Sequence, residues 1–294
     1  MKETTKAYMA GLIDAEGCYS LSRHVNKLGY VMFDPEIRFT TTHLPTARWA
    51  VSNFGGAYRT NVWSTGWKTY YQWKIGNDRG ASDFLDLITP FIWMKKAEAE
   101  ILREYFDLKG SMNKAKRELL YQRMSELKSR ESVTTNTPNF SIDDKTTHAY
   151  MAGIFDGEGS AYIIKYFQQF HRSFAYRAVA SVANTNTSLT EQLVRLYGGK
   201  TRPKALRNGG RLPMFEWEVS RNAEKEQFLL SVLPYLTIKK EQAKAVLEFT
   251  RLNGKVNPNK RSELHLLVSS LNGKKIESVL RSDTQSAPLV TATA

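Results

Sequence analysis

The sequence is poor in the residues that most often announce a chemistry. It has one cysteine in 294 residues, Cys18, which excludes an internal disulfide and a cysteine-built zinc cluster. No stretch approaches the roughly 18 consecutive apolar residues that a membrane-spanning helix needs, and the N-terminus does not read as a signal peptide. No Ser-His-Asp or Cys-His set recurs along the chain, and no glycine-rich loop of the kind that cradles nucleotide phosphates is present. Splice-junction nucleophiles do not bracket it, which argues against a self-excising segment. These absences lead us to expect a soluble intracellular protein of a reducing compartment, organelle matrix or cytoplasm, with no membrane partner.

What the sequence has in excess is positive charge. Lys and Arg number 42 against 29 acids, for a net charge of +13 and a pI near 9.6. Such an excess favours a polyanionic partner, most often nucleic acid, because neutralised phosphates release counterions. A hydrophobic share of 41% with 12% aromatics is enough to fill real cores.

The chain also repeats itself. YMAGLIDAEG at Tyr8–Gly17 and YMAGIFDGEG at Tyr150–Gly159 agree at seven of ten positions and stand 142 residues apart. NFGGAY at Asn53–Tyr58 is echoed by LYGGKT at Leu196–Thr201, with glycine pairs 143 residues apart. TPFIWMKKAEAEIL, from Thr89, is echoed by LPYLTIKKEQAKAVL, from Leu233, with Lys95 and Lys239 144 residues apart. Three landmarks in one order at a nearly constant offset mean two copies of one unit. Two copies are too few for a solenoid, so halves related by a pseudo-two-fold axis are expected.

Each copy has the same grammar: a helical motif closed by a C-cap glycine, two strand-like runs, a short helix, two more strands and two helices. The reading is α+β, with a four-stranded antiparallel sheet in each half. We place the N-terminal half at 1–110 and the C-terminal half at 147–254. Residues 111–146, a charged amphipathic helix pattern followed by Ser/Thr/Asn-rich sequence, read as a linker, partly helical and partly loop. Residues 255–294 read as a basic extension of one or two short helices with a frayed tail.

Within the motif, Gly11 and Ala15 lie on one helix face, as do Gly153 and Gly157. Small residues at that spacing let two helix backbones approach closely. Glu16 and Glu158 would then meet at helix C-termini, where the dipole is already negative. Two carboxylates there need cations, and hard divalent ions with oxygen ligands, Mg²⁺ above all, suit the site, with Ca²⁺ or Mn²⁺ able to substitute. A metal bridging carboxylate and phosphate also explains acids in so basic a chain. Asp14 and Asp156 point away from their glutamates on a helix, and a capping or interface role suits them.

The two decapeptides resemble the LAGLIDADG motif of homing endonucleases, in the single-chain form that carries two motifs, and the similarity covers roughly residues 5–252. The resemblance implies two pseudo-symmetric αββαββα halves whose sheets form a saddle over the DNA major groove. It implies a Mg²⁺-dependent endonuclease that cuts both strands of a long pseudo-palindromic DNA target, leaves short 3′ overhangs and acts as a monomer. It also implies Glu16 and Glu158 as catalytic metal ligands, helped by the carbonyls of Ala15 and Gly157. Lys95 and Lys239 match the basic residue near the attacked phosphate, with Lys96 and Lys240 leaving the choice within each pair open. His43 and Asn186 match a polar position that holds solvent near the metals, or are solvated strand-end residues. Two cations, one activating water and one stabilising the leaving oxygen, give the mechanism.

Strand alternation sorts candidate DNA contacts onto one face: Ser20, Ser22, His24 and Asn26; then Arg38 and Thr40; then Lys68, Tyr70, Gln72 and Lys74. In the second half the row holds Tyr162, Ile164, Tyr166 and Gln168, with Arg177 and Ser181. Such a ribbon can enter the major groove and distinguish base edges. The rows differ between halves, so the target is an imperfect palindrome at best. Two binding functions stay open beside cleavage: an intron maturase that binds RNA, and a DNA-binding protein that does not cut.

Overall fold

The computed structural model describes residues 1–62, 69–76, 78–108, 113–129, 138–204, 213–252 and 258–273. The N-terminal half runs α1 (Glu3–Glu16), β1 (Gly17–Val25), β2 (Val31–Thr41), α2 (Leu44–Phe54), β3 (Ala57–Val62), β4 (Thr69–Ile75), α3 (Asp78–Ile88), α4 (Lys96–Asp107) and α5 (Lys114–Ser129). The second half runs α6 (Lys145–Glu158), β5 (Gly159–Gln168), β6 (Ser173–Asn184), α7 (Thr187–Tyr197), β7 (Lys200–Lys204), β8 (Met214–Val219), α8 (Asn222–Val232), α9 (Lys240–Arg251) and α10 (Pro258–Leu271). Both sheets are antiparallel and share one topology, β1-β2-β4-β3 and β5-β6-β8-β7. Each half is thus the expected αββαββα unit with further helices after it.

Those further helices fall in the segments read as linker and extension. Helix α5 packs against β1 and α4, and α10 packs against β5 and α9. The buried pair Leu120 and Met124 of α5 lies 144 residues before the buried pair Leu264 and Val268 of α10. The two helices are therefore the same element of the repeat, each lying against the edge strand of its sheet. On α10, His265 bonds the Ile163 carbonyl through Nδ1 at 2.8 Å. Asn272 Nδ2 donates to the Ala161 carbonyl at 3.1 Å.

The residues that face the helices are the odd-numbered ones of β1, β2 and β5 and the even-numbered ones of β6. Tyr19, Leu21, Ile37 and Phe39 are buried, with Trp73 and Ile75 on β4; Ala161, Ile163 and Ala180 match them in the second sheet, with Trp217 and Val219 on β8. The glycine pairs explain themselves here. Gly55 and Gly198 have φ of 75° and 73°, in a region that L side chains rarely enter. The carbonyl of each is held by a buried indole, Trp73 Nε1 at 2.9 Å and Trp217 Nε1 at 2.8 Å.

The motif glycines act differently from the expectation. Gly17 and Gly159 follow their helices with φ of −84° and −80°, so no left-handed cap forms. Space requires them instead: a Cβ on Gly17 would stand 2.6 Å from the Ile13 carbonyl oxygen, and one on Gly159 would overlap the Phe155 ring.

Candidate active site

Helices α1 and α6 cross at closest approach through their small residues. A Cβ on Gly11 would overlap the Tyr150 backbone, and one on Gly153 the Tyr8 backbone, so each half presents glycine to the other's main chain. The crossing continues to the helix ends. A Cβ on Gly157 would lie 2.5 Å from Ala15 Cβ and 3.0 Å from Glu16 Cγ.

Around this crossing the aspartates hold the second layer. Asp14 is 3% exposed and accepts the backbone N–H groups of Trp93 (2.8 Å), Met94 (3.0 Å) and Lys95 (2.9 Å), and the Tyr150 hydroxyl (2.7 Å). Asp156 does the same with Thr237 (2.7 Å), Ile238 (3.1 Å), Lys239 (2.8 Å) and the Tyr8 hydroxyl (2.8 Å). Each motif aspartate therefore holds the turn that leads into its own half's later helix, α4 or α9, up to the N-cap lysine. Each is bonded in turn by a tyrosine from the opposite half.

The capped turns aim Lys95 and Lys239 back at the motif. Lys95 Nζ donates to the carbonyls of Ile13 (2.9 Å), Asp14 (2.7 Å) and Gly17 (2.8 Å). Lys239 Nζ donates to those of Phe155 (3.0 Å), Asp156 (2.5 Å) and Gly157 (3.0 Å). All three donors of each ammonium are committed to backbone carbonyls at or just past a helix C-terminus, where a cation also meets the dipole favourably. Burial pulls both lysines below their ordinary range, opposed by the aspartates beside them.

The two glutamates sit between these lysines. Burial pushes Glu16 up, and Lys239 and Lys95 pull it back. Glu158 is pushed up to about 7 by burial and then by the charge of Glu16, with Lys95 and Lys239 opposing. Mutual repulsion of this kind is what a divalent cation relieves. Among the described residues no group of three or more His, Cys, Asp or Glu is placed to hold a metal. A cation here would draw on the two carboxylates and on backbone carbonyls, an all-oxygen set with room for outside ligands, which suits a hard ion such as Mg²⁺. A cavity of about 540 Å³ opens beside the pair, lined by Glu16, Thr40, Tyr70, Gly157 and Lys239 among others.

No family model matches the chain, and no curated protein matches it either. Solved structures do. I-SmaMI bound to cleaved DNA superposes with a TM-score of 0.71 at 16% identity, covering 92% of this chain and 97% of that one. I-SmaMI bound to uncleaved target with calcium ions gives 0.68 at 17% identity, covering 92% and 99%. I-LtrWI bound to target DNA gives 0.69 at 14% identity, covering 91% and 97%. The first and last are described as LAGLIDADG homing endonucleases. The fold of this chain is the LAGLIDADG homing endonuclease fold.

On that LAGLIDADG framework the remaining site candidates separate. His43 and Asn186 stand at the N-caps of α2 and α7. Asn186 uses its side-chain oxygen to accept the Ser188 N–H at 3.0 Å, a cap bond. His43 Nδ1 bonds Thr46 Oγ1 at 2.9 Å, and burial holds the imidazole below its ordinary range. Through Thr46 and Thr237 it joins a hydroxyl chain that ends on Asp156.

The even-numbered rows share the uncovered sheet face, as register requires: Ser20 pairs with Glu36, and Arg38 with Lys74. Ser22 and His24 are exposed there, with His24 bonded to Asp34 at 2.9 Å. Gln72, Tyr162, Ile164 and Gln168 are half-buried, and Tyr166 is exposed. Two candidates stand apart from these rows. Asn26 lies beyond β1, and its side-chain oxygen accepts the Leu28 and Tyr30 N–H groups, holding the hairpin. Ser181 is 2% exposed, so it supports the face from beneath rather than presenting itself. Lys68 lies outside the described residues.

The rows of β3 and β7 went unread. Arg59 pairs with Gln72 and Asn61 with Tyr70; Lys200 pairs with Glu218 and Arg202 with Glu216. These side chains share the open face with the expected ones. The signal was present in KTRPK, where cations at 200, 202 and 204 alternate with period two.

Proposed function

We propose that this chain is a monomeric, site-specific double-strand DNA endonuclease of the intron-homing kind. It hydrolyses phosphodiester bonds with divalent ions, Mg²⁺ foremost, and leaves short 3′ overhangs in a long imperfect palindrome. The observation that carries this reading is the meeting of Glu16 and Glu158 at the apposed ends of two crossed helices in a chain of net charge +13. The domain reading goes with it, residues 1–110 and 147–254 each contributing one motif.

The chain's own groups divide the work. Glu16 and Glu158, with the carbonyls of Ala15 and Gly157, would hold the ions. Bound there, divalent ions supply an activated water and charge stabilisation for the leaving 3′ oxygen. Asp14 and Asp156 fix the turns that carry Lys95 and Lys239. Those lysines hold the motif helix ends rigid and offset the repulsion between the carboxylates, and contact with a phosphate would require an ammonium to give up a carbonyl. The open sheet faces supply cations for the backbone and polar groups for base edges.

The test is cleavage of a randomised target pool by the purified full chain with Mg²⁺, followed by sequencing of the ends. A fixed cut in each strand with a short 3′ overhang is expected. Glu16→Gln and Glu158→Gln should each cut both strands about a thousandfold more slowly, because several kcal/mol of transition-state stabilisation is removed. Binding in Ca²⁺ should persist in both variants. Full cutting by either variant would remove these carboxylates from the mechanism. Sequence-specific binding without cuts would favour the non-cleaving DNA-binding function, and preference for structured RNA would favour the maturase.

A further inference from the structure

On the open face of the C-terminal sheet, one carboxylate is buried beneath two arginines. Glu218 on β8 is 5% exposed. Its Oε1 accepts from Arg177 Nη1 on β6 at 2.5 Å, and its Oε2 accepts from Arg202 Nη2 on β7 at 2.6 Å. Both guanidinium-bearing side chains stay about half accessible, at 47% and 59%. Glu218 therefore braces the two strands beside its own without covering the cations it holds.

A carboxylate is a poor choice for a surface meant to meet phosphates, and burying it costs desolvation that only close pairing offsets. Its effect on the arginines is to fix them. Each long side chain gives up rotamer freedom before any ligand arrives, while most of its donors remain uncommitted to Glu218. A free arginine settles on the nearest phosphate, whereas a fixed fork suits a planar acceptor pair such as guanine O6 and N7.

The N-terminal sheet reaches a similar arrangement by other residues. Glu36 on β2 accepts from Arg38 Nη1 at 2.6 Å and from Lys74 Nζ at 3.1 Å. At the repeat offset of 144, Glu218 corresponds to Lys74 and not to Glu36. The clamp thus recurs without being copied, which points to a shared demand on the two faces.

Resting on the endonuclease reading, we propose that Glu218 is a positioning residue for base recognition. It sets Arg177 and Arg202 as a paired reader of guanine edges in the C-terminal half-site. The Glu36 clamp holds only one fork, Arg38, and its lysine reads as a point charge, so discrimination in the other half-site rests less on such pairs.

The experiment selects bound duplexes from a randomised pool in Ca²⁺ and sequences them, for the unmodified chain, Glu218→Gln, Arg177→Lys and Arg202→Lys. Glu218→Gln should lose on the order of tenfold preference for G·C pairs at positions confined to the C-terminal half-site. Its affinity for non-specific duplex should hold or rise, with a steeper salt dependence, as released arginines find phosphates. The two lysine variants keep the charge and should lose preference at the same positions, which keeps the idea testable if Glu218→Gln folds poorly. An unchanged preference profile in Glu218→Gln overturns the proposal, as does preference lost evenly across both half-sites together with thermal stability. If the unmodified chain selects no sequence at all, the endonuclease reading itself falls.

Discussion

At the crossing helices Tyr8, Asp14 and Lys95 make nearly the same bonds as Tyr150, Asp156 and Lys239. The open sheet faces, by contrast, share few side chains. Their acids sit at unrelated repeat positions, and Arg38 answers to the buried Ser181 at the β1–β2 and β5–β6 registers. The difference follows from what each region must do. On the proposed function, two scissile phosphates would pose one chemical problem twice, so the groups around them would agree in geometry. Two half-sites of unlike sequence would pose two recognition problems, leaving the faces free to diverge on one backbone.

The largest effect that would break this comparison lies at the crossing itself. Gly11→Ala and Gly153→Ala each place a methyl against the other helix's backbone, which cannot rotate away. Each should cost about 3 kcal/mol or more in urea unfolding, outweighing the roughly 1 kcal/mol that alanine contributes as a helix former. Gly157→Ala meets the Ala15 Cβ at 2.5 Å, which is fixed to its own helix, so its cost should be somewhat smaller, about 2–3 kcal/mol. Ready tolerance of Gly11→Ala beside failure of Gly153→Ala would show that the halves do not meet as equals.

Most of the central architecture was legible because it is written twice. A decapeptide, a glycine pair and a lysine each recur at one offset, and the backbone demands behind them are severe: close approach at Gly11 and positive φ at Gly55. Helices α5 and α10 are legible as helical pattern in the linker and the extension, but not as matching elements of the repeat, because they repeat burial more than identity. Leu120 and Leu264 match, but Tyr121 answers to His265 and Arg123 to Leu267. The short strand β3 gives little alternation to read, β7 carries a legible one at Lys200, Arg202 and Lys204, and the clamps at Glu36 and Glu218 depend on pairing across strands. Register of that kind is set by the fold and not by neighbours in sequence. His43 and Asn186 match through their equal spacing to Gly55 and Gly198 and through the resemblance, and their N-cap geometry is the plainer clue.

A middle-sized effect sharpens the centre. Without a bound cation, burial and then the charge of Glu16 push Glu158 from its ordinary 4.5 up to about 7. A raised carboxyl contributes stability that is full below the unfolded pKa and is lost as pH rises through the folded one. Glu158→Gln should therefore stabilise the metal-free protein more at pH 8 than at pH 5, by roughly 1–2 kcal/mol after discounting for solvent contact. Glu16, the more exposed partner, should show the same sign with a smaller gain. Equal gains at both pH values would mean that the two carboxylates do not oppose one another.

The smallest expected effect tests where the copies begin to part. Trp93 and Thr237 occupy the same repeat position, and both donate a backbone N–H to a motif aspartate. Thr237 adds a hydroxyl that lies 3.2 Å from Asp156 Oδ2 and 2.5 Å from the Tyr8 hydroxyl. On the other side the Trp93 ring packs edge-on against Phe140, and Asp14 has no such hydroxyl to fall back on. Tyr150→Phe thus leaves a buried carboxylate one donor short, at a cost of about 1–2 kcal/mol, whereas Tyr8→Phe should cost about 0.5–1 kcal/mol. Adding Thr237→Ala to Tyr8→Phe removes the spare donor and should bring the two sides level. If Tyr8→Phe alone costs as much as Tyr150→Phe in urea unfolding, the Thr237 hydroxyl offers Asp156 no support.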